Sequence, residues 1–230
     1  MSNKNLSIYG ILSIISICFF VFLSSKVGYP QQNVSKLTME FAQKSLQNYL
    51  KNVINEQNFA NFGFKTLREV KFARLGAPYP VVIIGLKSLK TYTPKTGAKA
   101  LLIDAKTLWF PVIVRNEIRT KLEIIKKDDK LIPGEFGGIR NVKPIVQVRN
   151  NLSHLLATKG IEAPHKVALL KIPALYATFL YIEDSKGEFL VPAMVQPQRY
   201  NLENGKMYTA DEVLSQLKVF AKEIGEREIR

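Results

Sequence analysis

His154 and His165, the single Cys18 and a few carboxylates are the residues of this 230-residue chain whose types could do chemistry. General acid–base and nucleophilic catalysis need a base within hydrogen-bond reach of a nucleophile. His154 stands beside Ser153 in a helical stretch, and adjacent helical residues project in different directions. His165 follows Ala163–Pro164 where a strand begins. Neither a G-x-S-x-G elbow nor an H-E-x-x-H pair occurs. Asp104 and Asp184, with Glu183 adjacent, could act as a hydrolytic carboxylate pair, but both fall in DAK and DSKG stretches where acids serve turn geometry. Asp128, Asp129 and Glu123 offer oxygen ligands to a metal, or form a solvated mixed-charge loop. PGEFGGIR at 133–140 could hold an anion on its backbone amides ahead of a helix. It lacks the P-loop spacing and reads as a connection. No catalytic set, metal site or cofactor site is specified.

Binding is the other chemistry available. Trp109, Arg115, His165 and Lys171 are the candidate interaction surface, with Trp109 equally suited to a core. Tyr176, Phe179, Tyr181 and Phe189 with Lys171 and Lys186 could stack bases, although strand alternation sends at least half of these aromatics inward. The chain carries 33 basic and 19 acidic residues, a formal charge of +14. Such an excess favours anionic polymer, lipid headgroups or nucleic acid. The lysines are scattered, the cluster KLEIIKKDDK at 121–130 contains three acids, and no nucleic-acid fingerprint is present. Nucleic acid is therefore the least favoured of the three. One cysteine excludes a disulfide within the chain and any cysteine-based zinc site.

Residues 6–25 contain no charge and would span about 30 Å as a helix, close to a bilayer's hydrocarbon thickness. Leu6, Ile8, Ile11, Phe19, Phe20 and Leu23 mark this membrane segment. Leu23 sits where a cleavage site prefers a small residue, so an uncleaved signal-anchor over 1–30 is expected, or a signal peptide if it is cut. The expected location is membrane-anchored and extracytoplasmic, in a periplasm or at a cell surface, or secreted after cleavage.

Residues 31–74 hold an amphipathic helix over 34–57, with Leu46, Tyr49, Leu50, Val53 and Ile54 at helical spacing. A Thr66/Glu69 capping box then opens a short helix. Beyond them the chain repeats itself. LGAPYPVVIIGLKSL at 75–89 matches IEAPHKVALLKIPAL at 161–175, and LLIDAKTLWFPVIV at 101–114 matches FLYIEDSKGEFLVPAMV at 179–195. Each copy closes on a helix, one over 142–158 capped by Asn141, the other over 210–224 capped by Thr209 with Glu212 and stopped by Gly225. The expected fold is α+β. Two related strand–hairpin–helix half-units, 75–160 and 161–230, share an approximate two-fold axis, a mainly antiparallel sheet and helices on one side.

A duplicated strand-and-helix layout behind an export segment is similar, in architecture, to the Tic-type envelope translocation chaperones. That resemblance implies a translocation chaperone and carries over no functional position. The functional expectation is a non-enzymatic binding or assembly protein of the cell envelope, whose partner is another envelope protein or a client polypeptide. The alternatives are an envelope hydrolase using carboxylates and a basic nucleic-acid-binding protein.

Overall fold

The computed structural model describes residues 34–162 and 164–227. The membrane segment expected at Leu6 to Leu23 lies outside them. Among the described residues no helix is long and apolar enough to cross a membrane.

The chain opens on α1 (Lys36–Asn52), capped by Ser35, whose hydroxyl accepts from Thr38 N at 3.2 Å. Two short strands follow, β1 (Arg74–Leu75) and β2 (Tyr79–Ile83), then α2 (Leu86–Thr91). Three long strands, β3 (Ile103–Val114), β4 (Glu117–Lys127) and β5 (Lys130–Gly137), lead into α3 (Ile139–Thr158). The second half runs β6 (Lys166–Ile172), β7 (Ala177–Asp184), β8 (Gly187–Met194), α4 (Pro197–Tyr200), β9 (Tyr208–Thr209) and α5 (Ala210–Arg227). The described strands make one sheet in the order β5-β4-β3-β2-β6-β7-β8-β9, with β1 also paired to β3. All neighbours are antiparallel except β2 and β6, which meet in parallel at the centre with Val81 opposite Leu169. The fold is α+β.

Alternation along the strands sorts the core between the two faces. Val82, Leu170, Phe179, Tyr181 and Leu190 pack beneath α2 and α5. Val81, Trp109, Leu169, Leu180 and Val191 pack beneath α3. Phe110, Val112, Leu122 and Ile124 point away from α3 and meet Ala42 and Leu46 of α1. The helices therefore cover both faces, not one side. The reason is that both residue sets of the central strands are apolar, and each face must be covered.

The repeat is only partly a structural repeat. DSKG forms the β7–β8 hairpin, with Asp184 paired to Gly187 and Gly187 at φ 130°. Lys186 of that turn donates to the Gly160 and Lys159 carbonyls at the end of α3, at 2.6 and 3.2 Å. The corresponding DAK makes no hairpin. β3 continues through it, and the pairing with β2 slips from Val81–Thr107 to Val82–Asp104. Ala105 and Lys106 bulge out, held by Lys106 N donating to Asp104 Oδ1 at 2.8 Å. Lys106 alone adopts the left-handed backbone there (φ 53°), whereas a two-residue hairpin of type I′ needs it at both central positions. Arg115–Asn116 and Asp128–Asp129 meet that need at the β3–β4 and β4–β5 turns, with φ of 51°, 76°, 47° and 60°.

Symmetry is similarly incomplete. An axis along the β2–β6 seam would carry β3 onto β7, yet Trp109 of β3 has its sequence counterpart, Leu190, one strand further out in β8. Val81 and Val167 both face α3, which that axis forbids. A shift of one residue reverses a strand's faces, so the matched openings preserve sequence spacing without preserving the symmetry.

Several ends also differ from expectation. Gly138, left-handed at φ 76°, precedes α3 in place of Asn141, because the helix begins three residues earlier. α5 continues through Gly225 to Arg227. Thr66 makes no side-chain cap, and the segment Leu67–Phe72 is a 3₁₀ helix. Glu69 does reach back, accepting from Lys65 N at 2.8 Å. The Thr209/Glu212 box closes in both directions, at 2.8 Å from Thr209 N and 3.3 Å from Glu212 N. Pro133 and Gly134 lie within β5, where an edge strand tolerates proline.

Candidate functional site

Pro144, Gln147, Val148 and Asn151 recur at i, i+3, i+4 and i+7, and so share one face of α3. That face lines an open cleft of about 700 Å³. The opposite wall is the end of β8 and its continuation, from Ala193 to Gln196, with the Asn204–Gly205 turn beside it. Asn204 fastens that turn to the sheet: its side chain accepts from Val195 N at 3.1 Å and donates to Val195 O at 3.3 Å. Gly205, at φ 84°, donates its N–H to Pro192 O at 2.8 Å. The outer edge of β8 is thereby occupied by the chain's own turn.

Tyr176 completes the cleft. Pro173–Leu175 forms a 3₁₀ turn after β6, closed by Tyr176 N donating to Pro173 O at 3.0 Å. Tyr176 itself is left-handed (φ 51°, ψ 36°), a conformation that costs a bulky side chain on the order of 1 kcal/mol. The residue is 85% exposed, so burial returns little of that cost. None of the cleft's lining residues is charged, although the chain carries +14. The available chemistry is an aromatic face, a few apolar side chains and the amides of Gln147, Asn151 and Gln196.

The four residues expected to share an interaction surface are dispersed. Trp109 is 1% exposed and packs beside Tyr79 at a centroid distance of 6.1 Å, so its place is the core. Its position at the middle of a strand between two covered faces accounts for the difference. Lys171 stands half-buried on the same face, its Nζ 3.4 Å from Glu123, the residue paired across from Trp109. His165 is exposed at the start of β6, its backbone N–H donating to Glu183 O at 2.7 Å. Arg115 lies in the β3–β4 turn, its guanidinium 5.8 Å from the Phe72 ring. Sequence reasoning weighed Tyr176 as one of several stacking aromatics, and missed its isolation on a strained turn.

The carboxylates are engaged elsewhere. Asp104 and Asp184 are three strands and several residues apart, about 20 Å by strand geometry, beyond the reach of a hydrolytic pair. Asp128 and Asp129 form the β4–β5 turn, while Glu123 binds Lys121 at 2.8 Å. Burial opposes the charge on Glu123, yet Lys121 and Lys171 outweigh it and hold the carboxyl below its ordinary range. Glu188 accepts from Ala98 N and Lys99 N, each at 2.7 Å, and from Tyr181 at 2.6 Å. Burial first, then Glu188, pushes the Tyr181 hydroxyl far above its ordinary value. Asp211 likewise holds Lys95 N at 3.2 Å and the Tyr92 hydroxyl. These acids of the second half pin the 92–101 segment of the first.

No family model matches this chain, and no curated protein or solved structure matches it significantly.

Proposed function

We propose that this protein is a non-enzymatic binding or assembly module of the cell envelope, anchored or exported by its N-terminal segment, with its folded part on the extracytoplasmic side. The observation that carries the binding role is Tyr176, an exposed aromatic held in a costly backbone conformation over an uncharged cleft. Residues held in sparsely populated backbone regions cluster at ligand sites, and Tyr176 is the one bulky aromatic among the left-handed residues described. The occupant best matched to that lining is an uncharged segment of a client or partner polypeptide. Its side chains would rest on Tyr176, Val148 and Met194, and its backbone would exchange hydrogen bonds with the amides. The uncharged lining speaks against an anionic polymer at this site.

The test is fluorescence anisotropy of a labelled, uncharged decapeptide rich in Leu, Asn and Ser, titrated with the full chain. Saturable binding that is insensitive to salt and lost in Tyr176→Gly is the expected result. Equal affinity in that variant, or preference for an acidic peptide, would overturn the reading. Intact mass of the native protein in separated membrane and soluble fractions checks the anchor. Full-length mass in the membrane supports it, and a form about 25 residues shorter in the soluble fraction indicates a cleaved signal.

A further inference from the structure

A second exposed aromatic lies at the opposite end of β3 from the bulge, in a setting unlike that of Tyr176. Phe72 ends the 3₁₀ segment at 50% exposure, with Lys71 Nζ 5.1 Å and Arg115 Cζ 5.8 Å from its ring centroid. Arg74, in β1, reaches Asn116 Oδ1 at 3.5 Å and so lies against the same turn. Arg68 stands three residues before Lys71, the spacing that stacks side chains on a 3₁₀ helix.

The acids nearby are already neutralised. Glu69 is held by Arg119 at 3.0 Å and Glu117 by Lys65 at 3.0 Å. Arg119 also bonds Glu117. Two cations thus offset two acids, leaving Lys71, Arg74, Arg115 and Arg68 as excess positive charge near the exposed ring.

We infer that this cation-ringed Phe72 patch docks on an anionic lipid surface, the ring entering the headgroup region and the cations meeting phosphate oxygens. Cations near such a surface add attraction roughly one by one, and an aromatic ring suits the interface. The inference rests on the proposed membrane anchor. Residues 26–35, between the apolar segment and α1, reach at most about 35 Å when extended. A tether of that length keeps the folded part within roughly its own diameter of the bilayer, and α1 packs against β1, which carries Arg74. Single-stranded nucleic acid fits less well, since one ring offers no succession of stacking platforms.

The experiment places an indole at the patch, Phe72→Trp, in the full chain incorporated into vesicles with brominated acyl chains. The native Trp109, buried in the core, supplies a background measured on the unsubstituted chain. Quenching of the introduced indole in vesicles containing phosphatidylglycerol, and not in purely zwitterionic ones, is expected. Lys71→Gln, Arg74→Gln and Arg115→Gln should each lower the docked-to-undocked ratio about fivefold. If the chain floats with vesicles but the indole is never quenched, the patch faces away and the inference fails while the anchor stands. Failure to float defeats the anchor reading separately, and vesicles added to the soluble chain then test the patch directly. Quenching equal in both lipids, or a stronger response to a single-stranded oligonucleotide than to anionic vesicles, overturns the lipid assignment. Should the indole variant not fold, acetylation of Lys71 in the native chain provides the same readout: protection by anionic vesicles is expected, and its absence refutes docking.

Discussion

Individual residues divide into those that stabilise and those that do not. Tyr176 belongs to the second group: the residue is 85% exposed, and little burial offsets its left-handed backbone. Glycine adopts that conformation without steric penalty. Tyr176→Gly should therefore raise stability by about 1 kcal/mol, or leave it unchanged, while abolishing binding in the cleft. A urea midpoint that falls instead would mean the ring packs in solution and that its exposure is not functional. Thr120 offers a contrasting case. It is fully buried in β4, and its Oγ1 has no hydrogen-bond partner. Replacing an unsatisfied hydroxyl by a methyl of similar volume removes a desolvation cost. Thr120→Val should stabilise the protein by about 1 kcal/mol in the same urea titration, and a loss of stability would reveal a bond to solvent.

At the level of elements, carboxylates fix how segments meet. Lys99 holds the Glu183 carboxyl below its ordinary range, and the Thr209 N–H and hydroxyl do the same for Glu212 at the start of α5. Burial opposes the charge on Glu69, but Lys65 N–H and Arg119 prevail and its value is also lowered. With Glu123, four acids have folded values below the unfolded one of about 4.3. Their stabilisation is complete above roughly pH 5 and is lost as pH falls through the depressed folded values. Urea midpoints should thus be flat from pH 7 to about 5 and decline below, and a midpoint rising with acid would contradict the assignment. Legibility also varied among elements. The Thr209/Glu212 box and the DSKG turn could be read because each is local chemistry. The DAK bulge could not, since Asp104 and Lys106 look like a turn until β2 supplies the strand they pair with.

Over the whole molecule, the two halves share one sheet and one pair of faces. Val81 and Leu169, from different halves, are neighbours beneath α3, and the acids Glu188 and Asp211 hold the 92–101 segment. Such sharing predicts one cooperative unfolding transition. Leu180→Ala, at a site fully buried beneath α3, should cost about 2–5 kcal/mol. It should shift Trp109 fluorescence and far-ultraviolet dichroism together, although the two residues belong to different halves. Separate transitions for the two signals would show that the halves fold independently. The exterior is divided too: the cleft at Tyr176 has no charged lining, while the Phe72 patch concentrates uncompensated cations. Net charge indicated a polyanion partner without revealing that one surface avoids charge.

What the sequence determined by itself was the class of fold, the approximate spans of α1, α3 and α5, the second hairpin, and the absence of a recognisable catalytic motif. Each follows from short-range rules: apolar periodicity, caps, turn residues and motif spacing. Only the tertiary structure decided that β3 runs straight through DAK, that α3 lies opposite α5, that Trp109 is core, and that Tyr176 stands over α3 and the end of β8. Those outcomes depend on which strands become neighbours and with what register. One residue of register exchanges the two faces of a strand, and no local pattern within the strand records its partner's alignment.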